Sequence, residues 1–276
     1  MPYIKLDEQQ NGENLELYYQ DYGTGQPVIL IHGWPLSHRA WEPQMQAVAD
    51  AGFRAIAYDR RGFGQSSKPY NGYDYSTLAR DLHILIKKLD LNDAIIVGFS
   101  MGGGEVVRYF TDFGNDRVVK AALISSIIPL VAKKPDNPDG VPEEDVKEIM
   151  NALQTDRVGF MEQFASDFYN ADDTGVSKQQ LHYAWNIAAM ASPRATIQTA
   201  KSWGGTDFRD ECKNVNVPTL IVHGDSDNIV PIKTAGDQAA KLIPDNQYEV
   251  ISGGPHGLNL THKDQLNEVL IRFLKG

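Results

Sequence analysis

A serine, an acid and a histidine are the residues of this chain whose types and spacing could do chemistry together. Ser100 lies at the centre of a Gly-x-Ser-x-Gly pattern that runs from Gly98 to Gly102. A serine hydroxyl is a poor nucleophile until a nearby base removes its proton, and a carboxylate must hold that base in one tautomer. His256 is the expected base, because imidazole transfers protons readily near neutral pH.

Two aspartates compete for the role of the acid. Asp225 and Asp227 both follow the apolar run 218–222, within the segment His-Gly-Asp-Ser-Asp that begins at His223. The residue pattern alone leaves both open. With either one, the order along the chain is serine, acid, histidine, which is the order of an α/β-hydrolase triad.

The elements that must position these side chains alternate between strand and helix patterns. Strands are predicted at 3–7, 15–22, 27–31, 53–58, 94–99, 121–124, 218–222 and 248–251. Helices are predicted at 40–51, 76–89 with Ser76 as N-cap, 105–110, 234–243, and 261–274 with Thr261 and Asp264 as capping pair. The alternation predicts an α/β fold with a mostly parallel eight-stranded sheet flanked by helices. The loops at the carboxyl ends of its strands share one crevice.

The stretch 127–203 departs from this alternation. After a loop at 133–142, helical patterns occur at 143–153, 156–170, 177–191 and 193–203, without a strand pattern. We therefore predict a core of residues 1–126 and 204–276, with a helical cap of residues 127–203 inserted above the sheet. The aromatic candidates for a pocket wall are Phe99, Phe160, Phe164, Phe168, Trp185 and Trp203.

Two backbone amides are candidates for an oxyanion hole. Met101 follows the nucleophile directly, and Trp34 lies in the loop after the predicted strand 27–31. Pro35 fixes its own φ and has no N–H, so it constrains the direction of the Trp34 carbonyl. A carbonyl that faced the acyl-enzyme could accept a hydrogen bond from hydrogen peroxide.

Five segments resemble the cofactor-free bacterial haloperoxidase, arylesterase and perhydrolase group of the α/β-hydrolase superfamily. These segments are 32–36, 58–66, 98–102, 223–227 and 255–257. The resemblance implies a catalytic set of Ser100, Asp227 and His256, and so favours Asp227 over Asp225. It also implies hydrolysis of small esters, with peracid formation from a carboxylate and hydrogen peroxide as a side activity. Relatives often assemble as homo-oligomers.

Other polar residues have simpler interpretations. His32 and His223 are interpreted as buried braces of their loops, and His38, His182 and His262 as histidines without a catalytic role. The segment Asp59-Arg60-Arg61 favours a structural ion pair. No pair of histidines or carboxylates has metal-ligand spacing, so neither a metal nor another cofactor is expected.

Composition excludes several partner classes. The net charge of -10 argues against nucleic acid and anionic membranes, which require a basic face. The single cysteine, Cys212, cannot form an intrachain disulfide, and residues 1–6 lack the pattern of a secretory signal, so a cytoplasmic location is expected. Two functions remain as alternatives to ester hydrolysis. One is γ-lactam, other amide or carbon–carbon hydrolysis on the same triad, and the other is non-catalytic ligand binding.

Overall fold

Eight strands form the central sheet of the computed structural model, which describes residues 2–276. They are β1 (Tyr3–Gln10), β2 (Glu13–Tyr22), β3 (Pro27–Ile31), β4 (Arg54–Tyr58), β5 (Ala94–Phe99), β6 (Val118–Ile124), β7 (Thr219–Gly224) and β8 (Asn246–Ile251). Their spatial order is β1-β2-β4-β3-β5-β6-β7-β8. The pairs β1–β2 and β2–β4 are antiparallel and the other five are parallel. The predicted mostly parallel eight-stranded sheet is confirmed.

The hydrogen-bonded ladder extends beyond the apolar runs that predicted the strands. β6 begins at Val118 rather than at residue 121, and β7 continues through His223 and Gly224, which pair with Val250 and Ile251 of β8. The prediction that His223 comes after the strand is therefore wrong. Hydrophobic patterning detects the buried centre of a strand, whereas backbone pairing continues wherever a neighbour is present.

Helices cover both faces of the sheet. They are α1 (Glu42–Asp50), α2 (Tyr75–Lys88), α3 (Gly102–Phe113), α4 (Glu143–Tyr169), α5 (Ala171–Thr174), α6 (Lys178–Ala189), α7 (Pro193–Gly205), α8 (Gly236–Leu242), α9 (Leu258–Thr261) and α10 (Lys263–Lys275). Alternate residues of β3 enter two different apolar clusters: Ile29 packs with α2 and α3, and Leu30 with α1 and α10. None of the helices within residues 2–276 is long and apolar enough to cross a membrane.

Two predicted helix starts are wrong. α2 is capped by Asp74, whose carboxylate accepts a hydrogen bond of 2.9 Å from the Thr77 amide, while Ser76 instead accepts from Arg108. At the C-terminal end, the chain forms the short helix α9 and then restarts at Lys263 without a side-chain cap. The hydroxyl of Thr261 contacts the ring of His262, so it does not pair with Asp264.

Four helices, α4 to α7, lie between β6 and β7. α4 joins two of the predicted helical stretches across Asp156, whose backbone angles (φ -147°, ψ 81°) are not helical. The carboxylate of Asp156 accepts a hydrogen bond of 2.9 Å from the Gly159 amide and so starts the second half of the helix. The division into a core and a cap of residues 127–203 stays a prediction.

The turn between β5 and α3 carries Ser100 in a left-handed conformation with φ 53°. Non-glycine residues adopt this conformation rarely, and it turns the side chain out of the strand direction. The turn is possible because its neighbours have no side chain. A Cβ on Gly98 would lie 2.6 Å from the carbonyl carbon of Gly102, and one on Gly102 would lie 2.6 Å from the carbonyl oxygen of Ile31.

Alanine at Gly102 is expected to destabilise the protein by about 1–3 kcal/mol, because the new methyl group must displace the backbone of β3. Gly205→Ala is the matched control, since a Cβ there meets nothing within 4 Å. Urea denaturation of the two variants measures both free energies of unfolding. Equal stabilities would show that the turn does not depend on close backbone approach.

Candidate active site

Ser100, His256 and Asp227 form one chain of hydrogen bonds. The hydroxyl oxygen of Ser100 lies 2.8 Å from Nε2 of His256, and Nδ1 of His256 lies 2.7 Å from Oδ2 of Asp227. Because a carboxylate only accepts, Nδ1 carries the proton and Nε2 faces the serine as an acceptor. The structure thus brings together the three residues predicted for catalysis, in an arrangement able to deprotonate the serine during attack.

Backbone amides and a second histidine surround the acid. Oδ1 of Asp227 accepts hydrogen bonds of 3.0 and 2.8 Å from the amides of Ile229 and Val230. His223 lies 3.2 Å from Oδ2 of Asp227, and the same ring nitrogen lies 2.9 Å from the Val230 carbonyl. A carbonyl only accepts, so this nitrogen of His223 carries a proton. His223 is therefore a buried donor to the acid loop.

These contacts favour the charged form of the acid. Burial alone would raise the pKa of Asp227, but the electrostatic interaction with His256 and the hydrogen bonds from His223 and His256 outweigh it and lower this pKa well below its ordinary value. Asp225 is exposed, and its carboxylate accepts from the Gly253 amide at 2.7 Å. The residue pattern did not decide which of the two aspartates is the acid. In the described chain, only Asp227 contacts His256.

The two amides proposed for the oxyanion hole come from adjacent strands. Trp34 follows β3, Met101 follows β5, and these strands pair directly. Within residues 2–276, neither backbone amide donates to another backbone group outside the regular elements. Both amides are therefore candidates for binding a substrate oxygen. Their role in catalysis stays a proposal.

A buried polar network holds the loop that carries Trp34. The Arg60 amide donates to Nε2 of His32 at 3.0 Å, and Nδ1 of His32 lies 2.8 Å from the Gly33 carbonyl. Burial and the charge of Arg60 lower the pKa of His32 well below its ordinary value, so the ring is a neutral brace. The Arg60 guanidinium in turn pairs with Glu105 of α3.

The same loop region contains a further ion pair and a buried contact between a carboxylate and a histidine. Arg61 binds the Asp81 carboxylate with two hydrogen bonds of 2.6 and 2.7 Å. Asp59 accepts from both the amide and the ring Nδ1 of His38, each at 2.7 Å. The interpretation of residues 59–61 as structural ion-pair residues is consistent with these contacts. His38 is buried.

A cavity of about 460 Å³ opens onto Ser100 and His256. Three of the aromatic candidates, Phe160, Phe164 and Trp203, line it together with Trp34. Trp185 does not, because its indole donates to the Val158 carbonyl elsewhere on the helical segment.

Phe99 and Phe168 support His256 from outside this cavity. Both side chains are buried, and their ring centroids lie 5.4 and 4.8 Å from the His256 ring. Sequence reasoning missed the other half of the cavity wall, which comes from the loop segments 139–142 and 228–231. The only available signal was their position directly before α4 and directly after Asp227.

The single cysteine and the remaining polar clusters do not add chemistry to the site. Cys212 is buried, and burial together with Glu211 raises the pKa of its thiol to about 12, which is unfavourable for a nucleophile. Within residues 2–276, no cluster of three or more His, Cys, Asp or Glu side chains could hold a metal ion.

Comparison with known proteins places this geometry in a family. A family profile described as the alpha/beta hydrolase fold matches residues 26–263. The chain belongs to the α/β-hydrolase family. Within it, this hydrolase groups with the non-heme haloperoxidases. It is 45% identical to a putative non-heme chloroperoxidase of Synechocystis sp., over 100% of both chains.

Two other relatives share nearly the whole length of this hydrolase. A bifunctional esterase/perhydrolase of Acinetobacter calcoaceticus is 35% identical, over 96% of this chain and 98% of that one. The crystal structure of a bromoperoxidase from Bacillus anthracis superposes with a TM-score of 0.94 at 45% identity, covering 96% of this chain and 98% of that one. The resemblance inferred from the sequence motifs is confirmed.

Proposed function

We propose that this protein is a serine hydrolase that cleaves small carboxylic esters through an acyl-enzyme. The observation that carries the proposal is the hydrogen-bonded chain from Asp227 through His256 to Ser100, which ends in a largely aromatic cavity. An ester carbonyl placed against Ser100 would meet the nucleophile on one side. The amides of Trp34 and Met101 would meet its oxygen on the other.

The reaction follows from these positions. Ser100 attacks the ester carbonyl while Nε2 of His256 takes the hydroxyl proton, and Asp227 stabilises the imidazolium that forms. His256 then returns the proton to the leaving alcohol, and an acyl group remains on Ser100. Attack by water, again deprotonated by His256, releases the carboxylic acid and restores the serine.

Hydrogen peroxide can replace water in the second half-reaction. Its oxygen attacks the acyl carbonyl while Nε2 of His256 takes a peroxide proton, Ser100 then leaves with that proton, and the product is a peracid. Halide is then oxidised by the peracid in solution, so no metal or redox cofactor takes part. The support is the similarity to the esterase/perhydrolase and to the haloperoxidases.

The proposal predicts bromination of monochlorodimedone by the wild-type protein in acetate, bromide and hydrogen peroxide. The rate is expected to fall to background in Ser100→Ala, because the peracid forms on that serine.

Pro35→Leu is expected to lower the ratio of peracid to acid if the Trp34 carbonyl assists peroxide. A wild type that hydrolyses esters but does not brominate would limit the function to ester hydrolysis. An unchanged ratio of peracid to acid in Pro35→Leu would show that Pro35 does not favour peroxide over water.

The remaining assignments are parts of the same proposal. We assign residues 127–203 as a cap, because α4 and α7 supply Phe160, Phe164 and Trp203 to the cavity above Ser100. The partners are small-molecule esters, hydrogen peroxide and carboxylates. A cytoplasmic location is supported by the single, buried cysteine, and assembly as a homo-oligomer by the resemblance alone.

A further inference from the structure

The cavity above Ser100 has aromatic walls on several sides. Trp34 contacts Phe164 edge to face, with centroids 5.3 Å apart, and Trp203, with centroids 5.9 Å apart. Phe160 stacks on Phe164 at 5.7 Å. The face of an aromatic ring carries negative electrostatic potential and attracts cations, above all alkylammonium groups that are weakly hydrated.

Three carboxylates line the same cavity where it opens to solvent. Asp139, Asp145 and Asp167 are all exposed, whereas Ser100 and His256 are buried. No Lys or Arg side chain is among the cavity-lining residues of the described part of the chain. The negative charge at the opening is therefore not neutralised within the cavity wall.

A second cavity extends this negative region outward. It shares Asp167, Asn228 and Ile229 with the first and adds Asp172 and Asp173. Its lining within residues 2–276 also has neither Lys nor Arg. A cleft lined by charge of one sign concentrates the field and raises the local concentration of ions of the opposite sign.

We propose that the site selects its substrates by charge, favouring esters that carry an alkylammonium group and disfavouring esters that carry a carboxylate. This inference rests on the proposed ester hydrolysis at Ser100. The aromatic walls bind the apolar and cationic part of the substrate, and the carboxylates at the opening attract it. The same carboxylates repel an ester that carries a carboxylate.

Acetylcholine and 3,3-dimethylbutyl acetate test this selection. They have the same shape, but acetylcholine carries a positively charged nitrogen where the other ester carries a neutral carbon. At about 10 mM ionic strength, kcat/KM is expected to be about 5- to 20-fold higher for the cationic ester than for the neutral one. At about 0.5 M salt, where the Debye length is only about 4 Å, this ratio of the two kcat/KM values is expected to fall below about threefold. The anionic ester 4-acetoxybutanoate is expected to react more slowly than the neutral one at low salt.

Variants that neutralise charge test whether the carboxylates at the cavity opening cause the preference for the cationic ester. Asp139→Asn/Asp145→Asn/Asp167→Asn is expected to lower the ratio at least about threefold at low salt. The matched control, Glu13→Gln/Asp112→Asn/Glu268→Gln, removes the same net charge from exposed residues outside both cavities and is expected to keep the wild-type ratio. Equal kcat/KM values for the two acetate esters at low salt, or a wild-type ratio in the cavity variant, would overturn the inference.

A binding measurement separates this inference from the proposed function. Choline and 3,3-dimethylbutan-1-ol form the same isosteric pair, and choline is expected to be the stronger inhibitor of p-nitrophenyl acetate hydrolysis by at least about fivefold. If the wild type hydrolyses no ester, the proposed function fails, and titration of both alcohols by NMR still tests the pocket. Equal binding of choline and the neutral alcohol would then refute selection by charge.

Discussion

Ser100→Ala is expected to lower kcat for p-nitrophenyl acetate by about 10⁴- to 10⁶-fold, because no other nucleophile faces His256 in the described chain. The fold should persist, since the Ser100 side chain bonds only to His256 and its amide still donates to the Ile124 carbonyl. Hydrolysis rates corrected for the uncatalysed reaction measure the effect. Labelling by a fluorophosphonate probe should disappear in the same variant.

Cys212→Ala is the control for a different nucleophile. Its thiol is buried away from the cavity and its raised pKa disfavours the thiolate, so the rate should stay within about twofold of the wild type. Full activity or full probe labelling in Ser100→Ala would end the assignment of Ser100. Loss of labelling with retained structure, measured by circular dichroism, would support it.

Asp227→Asn is expected to lower kcat by about 10⁴-fold, which corresponds to about 5.5 kcal/mol of transition-state stabilisation. An asparagine fits the same space and can still accept from the amides of Ile229 and Val230. It does not stabilise the imidazolium of His256, and its NH₂ group can hold the ring in the wrong tautomer. Steady-state kinetics with p-nitrophenyl acetate measures the loss.

Asp225→Asn is the matched control two residues away. Its carboxylate contacts the Gly253 amide and the Ser226 hydroxyl, but not His256. We therefore expect a loss below about tenfold, caused by a looser loop. A larger loss in Asp225→Asn than in Asp227→Asn would reverse the assignment of the acid.

The residues that meet at the candidate site were predictable, because they are a few residue types next to strong local patterns. Ser100 follows an uninterrupted apolar strand, and His256 lies between Pro255 and Gly257 in a loop whose other residues are serine, glycine and proline. The choice between Asp225 and Asp227 was different. Both lie in the same turn, so only the resemblance favoured one, and the orientation of each carboxylate follows from contacts made across the sheet.

Details at the ends of elements were less predictable. Asp74 and Ser76 are both good N-cap residues, but Asp74 accepts from the Thr77 amide, whereas Ser76 accepts from Arg108 of α3, a residue far away in the sequence. Among the aromatic residues of α4, Phe160 and Phe164 line the cavity while Phe168 packs beneath His256. A spacing of four residues places all three on one side of the helix, but it does not say what lies opposite each ring.

By itself, the sequence determined the class of sheet, the position of Ser100 on a sharp turn, and the residues proposed as nucleophile and base. These depend on short-range patterns of apolar residues, glycines and polar loop residues. Only the tertiary structure decided how His256 meets both Ser100 and Asp227, and that exposed carboxylates ring an aromatic cavity. These contacts involve residues up to 156 positions apart. A local sequence pattern does not encode how side chains so distant in the chain are oriented toward each other.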